Sequence, residues 1–195
     1  MKLFARYAVV AALCSLALLA RPAAGRAWLT WFDFERVTNT GSVLTMTWQQ
    51  MPGKFSEARW RAGSGSSVDA CWIAHGWLPT GWYDLRGHWD RYDGSLIKGR
   101  VYQLQDKPCW NGTWRRELFI HSEETSDQGQ YCPSTGDDPF CWESDFDYYS
   151  AGCVKVSRGG AAPTDLRLLH EAWHEKSGDL RHGAFGLNDF LYVHN

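Results

Sequence analysis

The chain has 195 residues, twelve of them tryptophan, with 20 basic and 22 acidic side chains for a formal charge of −2 at neutral pH. A balance on the acidic side argues against nucleic acid or anionic lipid as a partner. Beyond the N-terminal segment no apolar stretch approaches the ~20 residues that a membrane span needs, so no stable membrane insertion is expected.

The first 27 residues read as a secretory signal peptide. Met1-Lys2 and Arg6 precede an apolar run from Ala8 to Ala20, and the small residues between Ala24 and Ala27 suit a cleavage site. The expectation is therefore an exported protein, in a periplasm, a cell wall or the extracellular space, with one domain over residues 28–195. That leaves 168 residues, enough for one hydrophobic core. With 16 basic against 22 acidic residues the mature charge is −6, and the expected state is a monomer.

From residue 29 onward, short aromatic and β-branched segments recur between Gly, Pro, Asn and Asp. LTWFDF (29–34), SVLTMTW (42–48), GWYDLRGHW (81–89), LIKGRVYQLQ (96–105) and WRRELFIH (114–121) read as strands, so the fold class is mainly β, a single sandwich or barrel-like domain. Asp93-Gly94 and Asn111-Gly112 suit hairpin turns. In WRRELFIH, alternation sets Glu117, Phe119 and His121 on one side of a strand and Leu118 and Ile120 on the other. Residues 122–149 show no periodic element, hold eight acidic side chains and lack any Lys or Arg. They read as an ordered lid loop whose aromatic residues, Tyr149 among them, could wall a substrate site, with acids that attract an ammonium group. The Asp-rich part has no EF-hand spacing. Helical periodicity is convincing only in PTDLRLLHEAWHEK (163–176), where Thr164 or Asp165 caps and Leu166, Leu169 and Trp173 line one face.

Cysteine counting bears on chemistry. Signal removal takes Cys14 and leaves five, an odd number for an oxidising compartment. Cys132 and Cys141 bracket a short Pro/Gly/Asp loop and are paired with each other, Cys71 with Cys109 by elimination, which leaves Cys153 free. Four cysteines allow three connectivities, and an intermolecular bridge through Cys153 stays open. A spare thiol is the state a nucleophile requires. It needs a base, a group to orient that base, and N–H donors for an oxyanion. His121, Gly152 and Cys153 are the candidates.

FIHSEET (119–125) followed by YYSAGCVKVS (148–157), with GWLPTGWYDL (76–85) before them, resembles the L,D-transpeptidase catalytic domain of the YkuD type, near the L,D-transpeptidase effectors delivered by type VI secretion. The resemblance covers about residues 76–175. It implies Cys153 as nucleophile, His121 as base, Ser122 as the residue whose carbonyl orients the imidazole, and Gly152 and Cys153 amides as oxyanion donors. Ser150 and Lys155 would lie against substrate or behind it. The implied reaction is acyl transfer on peptidoglycan stem peptides with loss of a terminal D-alanine, to an amine or to water, without cofactor or metal. Three departures stand out: Ala151 replaces the motif's histidine, 32 positions separate His121 from Cys153, and Lys155 replaces Arg or Asn, losing a bidentate carboxylate grip.

Two alternatives are weighed against this reading. One is a catalytically silent, disulfide-stapled domain that binds cell-wall glycan, for which the tryptophan content is suited. The other is a zinc hydrolase built on HEAWH (170–174), with His182 as third ligand. Against zinc, the helix ends in the charged run Glu175-Lys176, and a shared histidine face turns Leu169 and Trp173 to different sides.

Overall fold

The structure is a computed structural model and describes residues 30–132, 138, 140–157, 165–176 and 190–195. The proposed signal peptide, the cap at Thr164 and His182 lie outside the described residues.

Among the described residues there are ten strands and one α-helix: β1 (Thr30–Glu35), β2 (Ser42–Met51), β3 (Lys54–Gly63), β4 (Gly81–Asp93), β5 (Lys98–Leu104), β6 (Lys107–Pro108), β7 (Trp114–Arg115), β8 (Phe119–His121), β9 (Val154–Val156), α1 (Asp165–Lys176) and β10 (Phe190–His194). The mainly-β expectation holds, and the form is a closed eight-strand barrel in the order β1-β10-β4-β5-β8-β9-β3-β2, with β6 and β7 as a separate ribbon. Six of the junctions are antiparallel. β1–β10 and β8–β9 are parallel.

Alternation along the strands fills the barrel. Phe32 and Phe34 from β1, Leu44 and Met46 from β2, Tyr102 and Leu104 from β5, Ile120 from β8 and Val154 and Val156 from β9 form one buried cluster. Their partners at odd offsets face outward, as a pleated strand requires. Leu166, Leu169 and Trp173 of α1 join the same cluster, so the helix docks its apolar stripe on the barrel core as its periodicity predicts.

Two disulfides, Cys71–Cys109 and Cys132–Cys141, have Cα separations of 5.5 and 4.9 Å, and Cys153 is a free, buried thiol. Such usage in a small domain is compatible with an oxidising compartment. No helix among the described residues is long and apolar enough to cross a membrane.

The structure differs from the sequence reading in WRRELFIH, which is not one strand. β7 and β8 are separated by three residues, of which Glu117 takes a positive φ of 54° and donates its N–H to Asp106 Oδ1 at 3.2 Å. The break lets β7 pair with β6 while β8 enters the barrel beside β5. Phe119 and Ile120 nonetheless keep the expected opposite sides. Asp93-Gly94 opens the β4–β5 turn, where Gly94 N–H donates to Ile97 O at 3.0 Å, and Asn111-Gly112 lies in the β6–β7 turn.

Replacing Trp173, which is fully buried, tests the docking of α1. Trp173→Ala is expected to lower stability by about 3–5 kcal/mol, seen as a lower urea midpoint at unchanged m-value. A loss below about 1 kcal/mol would show that the helix contributes little to the core.

Candidate functional site

Parallel pairing of β8 with β9 sets Ile120 opposite Val154 and His121 opposite Lys155. With Ile120 and Val154 pointing inward, Phe119, His121, Cys153 and Lys155 fall on the outer face. There Phe119, Val101 and Cys153 form a second small buried cluster, covered by Tyr92 and Ile97 from the β4–β5 hairpin. A cavity of about 380 Å³ opens over them, lined by His121, Cys153, Ser150, Lys155, Arg116 and Phe119 among others. The structure thus brings the proposed nucleophile and base into one cavity although 32 positions separate them.

His121 Nδ1 lies 3.0 Å from Ser122 O. A carbonyl can only accept, so Nδ1 carries the proton and Nε2 is left as the basic nitrogen. Burial, and next the Lys155 charge, pull the imidazole pKa down to about 3, with the Ser122 bond opposing. Burial likewise pushes the Cys153 thiol up to about 11, against a bond from the Phe119 backbone and the charges of Lys155 and Arg115. The thiol donates to Glu117 O at 3.7 Å, and among the described residues no hydrogen bond joins it to His121. Cys153 and His121 therefore rest as a neutral thiol beside a neutral imidazole, not as an ion pair.

Around the thiol, Ser150 acts as a pivot. Its Oγ accepts from Gly152 N–H at 3.1 Å and donates to Cys153 O at 2.7 Å. The Gly152 amide assigned to an oxyanion is thereby engaged with a side chain. Lys155 pairs with Glu123, both side chains 8% exposed, and its ammonium lies 5.9 Å from the Trp142 ring. Tyr149 is not among the cavity-lining residues and packs against Phe146 at 5.9 Å between ring centroids.

Two residues of this region escaped the sequence reading. Arg116 lines the cavity and adds a cation to its wall. Arg115, its neighbour in WRRELF, is 3% exposed, and its guanidinium donates to the carbonyls of Ala70, Gly76 (3.1 Å), Trp77 (3.4 Å) and Ala151 (2.6 Å). Burial lowers its pKa from the ordinary value. Gly152 has φ +115°, and a Cβ there would come within 2.0 Å of Arg115 Nη2. The glycine beside the cysteine is needed for this clearance as much as for the turn. Adjacent arginines within a strand-like segment, one on each face, are the only sequence signal for the pair.

HEAWH divides in space. His170 and His174 lie toward Asp90 of β4, with His170 Nε2 3.2 Å and His174 Nε2 3.8 Å from Asp90 Oδ1. Glu171 instead pairs with Arg167 at 3.4 Å, both more than 40% exposed. A metal held by the two histidines would lack the motif's glutamate as base. Leu169 and Trp173 are both buried, so a common histidine face does not cost the helix its apolar stripe, contrary to the argument from periodicity.

Comparison of the chain with known protein families, curated proteins and solved structures finds no match.

Two measurements follow from the buried pair. Alkylation of Cys153 by iodoacetamide should be slower in the folded than in the unfolded protein near neutrality and should accelerate as pH rises toward about 11. Faster reaction in the folded state would contradict a neutral resting thiol. Neutral His121 favours folding fully above its unfolded pKa of 6.5, and this contribution is lost as pH falls toward its folded value of about 3. His121→Gln should accordingly show a shallower fall of urea midpoint over that acid range. An unchanged slope would assign the acid sensitivity to other groups.

Proposed function

We propose that the protein is an exported cysteine acyltransferase of the L,D-transpeptidase type, acting on peptidoglycan stem peptides in a periplasm, cell wall or extracellular space. The observation that supports it most is the placement of Cys153 and of His121, anchored through Nδ1 to Ser122 O, in one cavity on the outer face of β8 and β9. In this reading Cys153 Sγ attacks the carbonyl of the diamino acid's L-centre and forms a thioester. The C–N bond to the terminal D-alanine breaks, and the thiol proton passes through His121 Nε2 to the departing amine. An amine acceptor or water then releases the acyl group, with the displaced proton returning to sulfur.

Arg116 and Lys155 supply positive charge toward a substrate carboxylate. Lys155 is already paired with Glu123, so Arg116 is the better carboxylate partner. Deprotonation must accompany substrate binding, because the resting thiol and imidazole are both neutral.

The same resting state, together with the engaged Gly152 amide, favours a second reading: a binding domain that has kept the site's form without turnover. Incubation with a purified disaccharide-tetrapeptide, followed by mass spectrometry, separates the two. The expected outcome is loss of D-alanine or a cross-linked product, abolished in Cys153→Ala. Unchanged substrate that still binds would leave the silent domain standing.

A further inference from the structure

On the core-facing side of β4, where His88 lies opposite Tyr102 and α1 docks, strand and helix present histidines to each other. His88 and Asp90 are two apart on β4 and so share a face, while His170 and His174 are one turn apart on α1. The structure packs these faces together. The His170 and His174 ring centroids are 4.2 Å apart and those of His88 and His174 5.3 Å, and one donor atom each from His88, Asp90 and His174 lie within 4.8 Å of one another.

We propose that His88, Asp90 and His174 bind a divalent transition metal ion, zinc being the one their donor set suits, with His170 and Tyr102 orienting the carboxylate. Two imidazoles and one carboxylate are ordinary zinc donors, and three protein ligands leave a fourth position for water. Metal–ligand bonds of about 2.0–2.2 Å put tetrahedral donor atoms about 3.3–3.6 Å apart. His174 Nε2 and Asp90 Oδ1 are already at 3.8 Å, so small side-chain rotations close the set. Access is available on one side: His88 is 3% exposed, but the side chains of His174 and Asp90 are 26% and 33% exposed.

Behind the ligands stands an outer relay. Tyr102 OH lies 2.8 Å from His170 Nδ1, and His170 Nε2 lies 3.2 Å from Asp90 Oδ1. The phenol donating to Nδ1 leaves Nε2–H directed at the carboxylate, the kind of support that metal-binding carboxylates receive. Trp173, at 4.5 Å between ring centroids, fixes the His88 ring from below. Because Glu171 faces outward, the ion would tie α1 to β4 rather than run the hydrolysis that HEAWH suggests. The site is independent of the chemistry at Cys153.

The test uses the Cys153→Ala protein, so that the thiol cannot take metal, dialysed against chelator and titrated with Zn²⁺ by calorimetry. Co²⁺ serves as a spectroscopic probe. One equivalent should bind at micromolar Kd or tighter, raise the Tm and give tetrahedral Co²⁺ bands in the visible. His174→Ala and Asp90→Asn, both at partly exposed positions, should each weaken binding about tenfold or more, with Glu171→Gln unchanged. No heat and no Tm shift at millimolar Zn²⁺ would overturn the proposal. So would stoichiometric binding that survives both substitutions, since the ion would then sit elsewhere.

Discussion

The Arg115 guanidinium holds three separate segments in one place. Its donors reach Ala70 beside the Cys71–Cys109 bridge, Gly76 and Trp77 ahead of β4, and Ala151 two residues before the thiol. Among the described residues Arg115 makes no ion pair with a carboxylate, and such a buried charge is tolerable only when its N–H groups are satisfied, as carbonyl oxygens satisfy them here. The turn at 150–153 inherits its shape from this requirement. Gly152 leaves room for the guanidinium, Ser150 closes the turn with two hydrogen bonds, and Ser64 links the same turn to β4's approach by donating to Gly152 O at 3.4 Å while accepting from Leu78 N at 3.0 Å.

The parallel β8–β9 junction explains the acidic segment. Parallel neighbours cannot be joined by a tight hairpin and need a crossover of a dozen residues or more. Residues 122–153 are that crossover. Its acids are partly structural: Glu124 is fully buried and accepts from Arg100 through both its side chain (2.7 Å) and its backbone N–H (3.0 Å), and Glu123 pairs with Lys155 of β9. Asp147 accepts from the backbone of Glu143 and Ser144, closing the cap of a 3-10 turn over Asp145–Tyr148. A run of acids that reads as a solvated wall is thus drawn inward at the points where cationic side chains or bare amides wait for it.

Legibility followed the strength of each local pattern. β1, β2, β4 and β5 carry long alternating runs and were readable, as were α1 and its stripe of Leu166, Leu169 and Trp173. β3 was missed because KFSEARWRAG mixes charged residues with an exposed Phe55 and only small or single apolar residues, Ala58, Trp60 and Ala62, on the core side. β9, with three residues, is too short to show a period and exists because β3 and β8 flank it. At the site, Cys153 and His121 were visible through cysteine counting and motif order, while Arg115, Arg116 and the Asp90–His88 face were not. Nothing local distinguishes an arginine that will be buried from one that will be solvated.

The amino-acid sequence by itself determined a mainly-β domain with one amphipathic helix and an odd number of cysteines after residue 27, because alternation, helical period and cysteine number are local properties of the chain. Only the tertiary structure decided that Cys153 and His121 line one cavity with their charged forms disfavoured by burial, that one of two neighbouring arginines becomes an internal clamp, and that HEAWH turns its histidines to β4 and its glutamate to solvent. Those outcomes depend on burial and on partners supplied by distant segments, and desolvation is a property of the assembled barrel rather than of any residue in it.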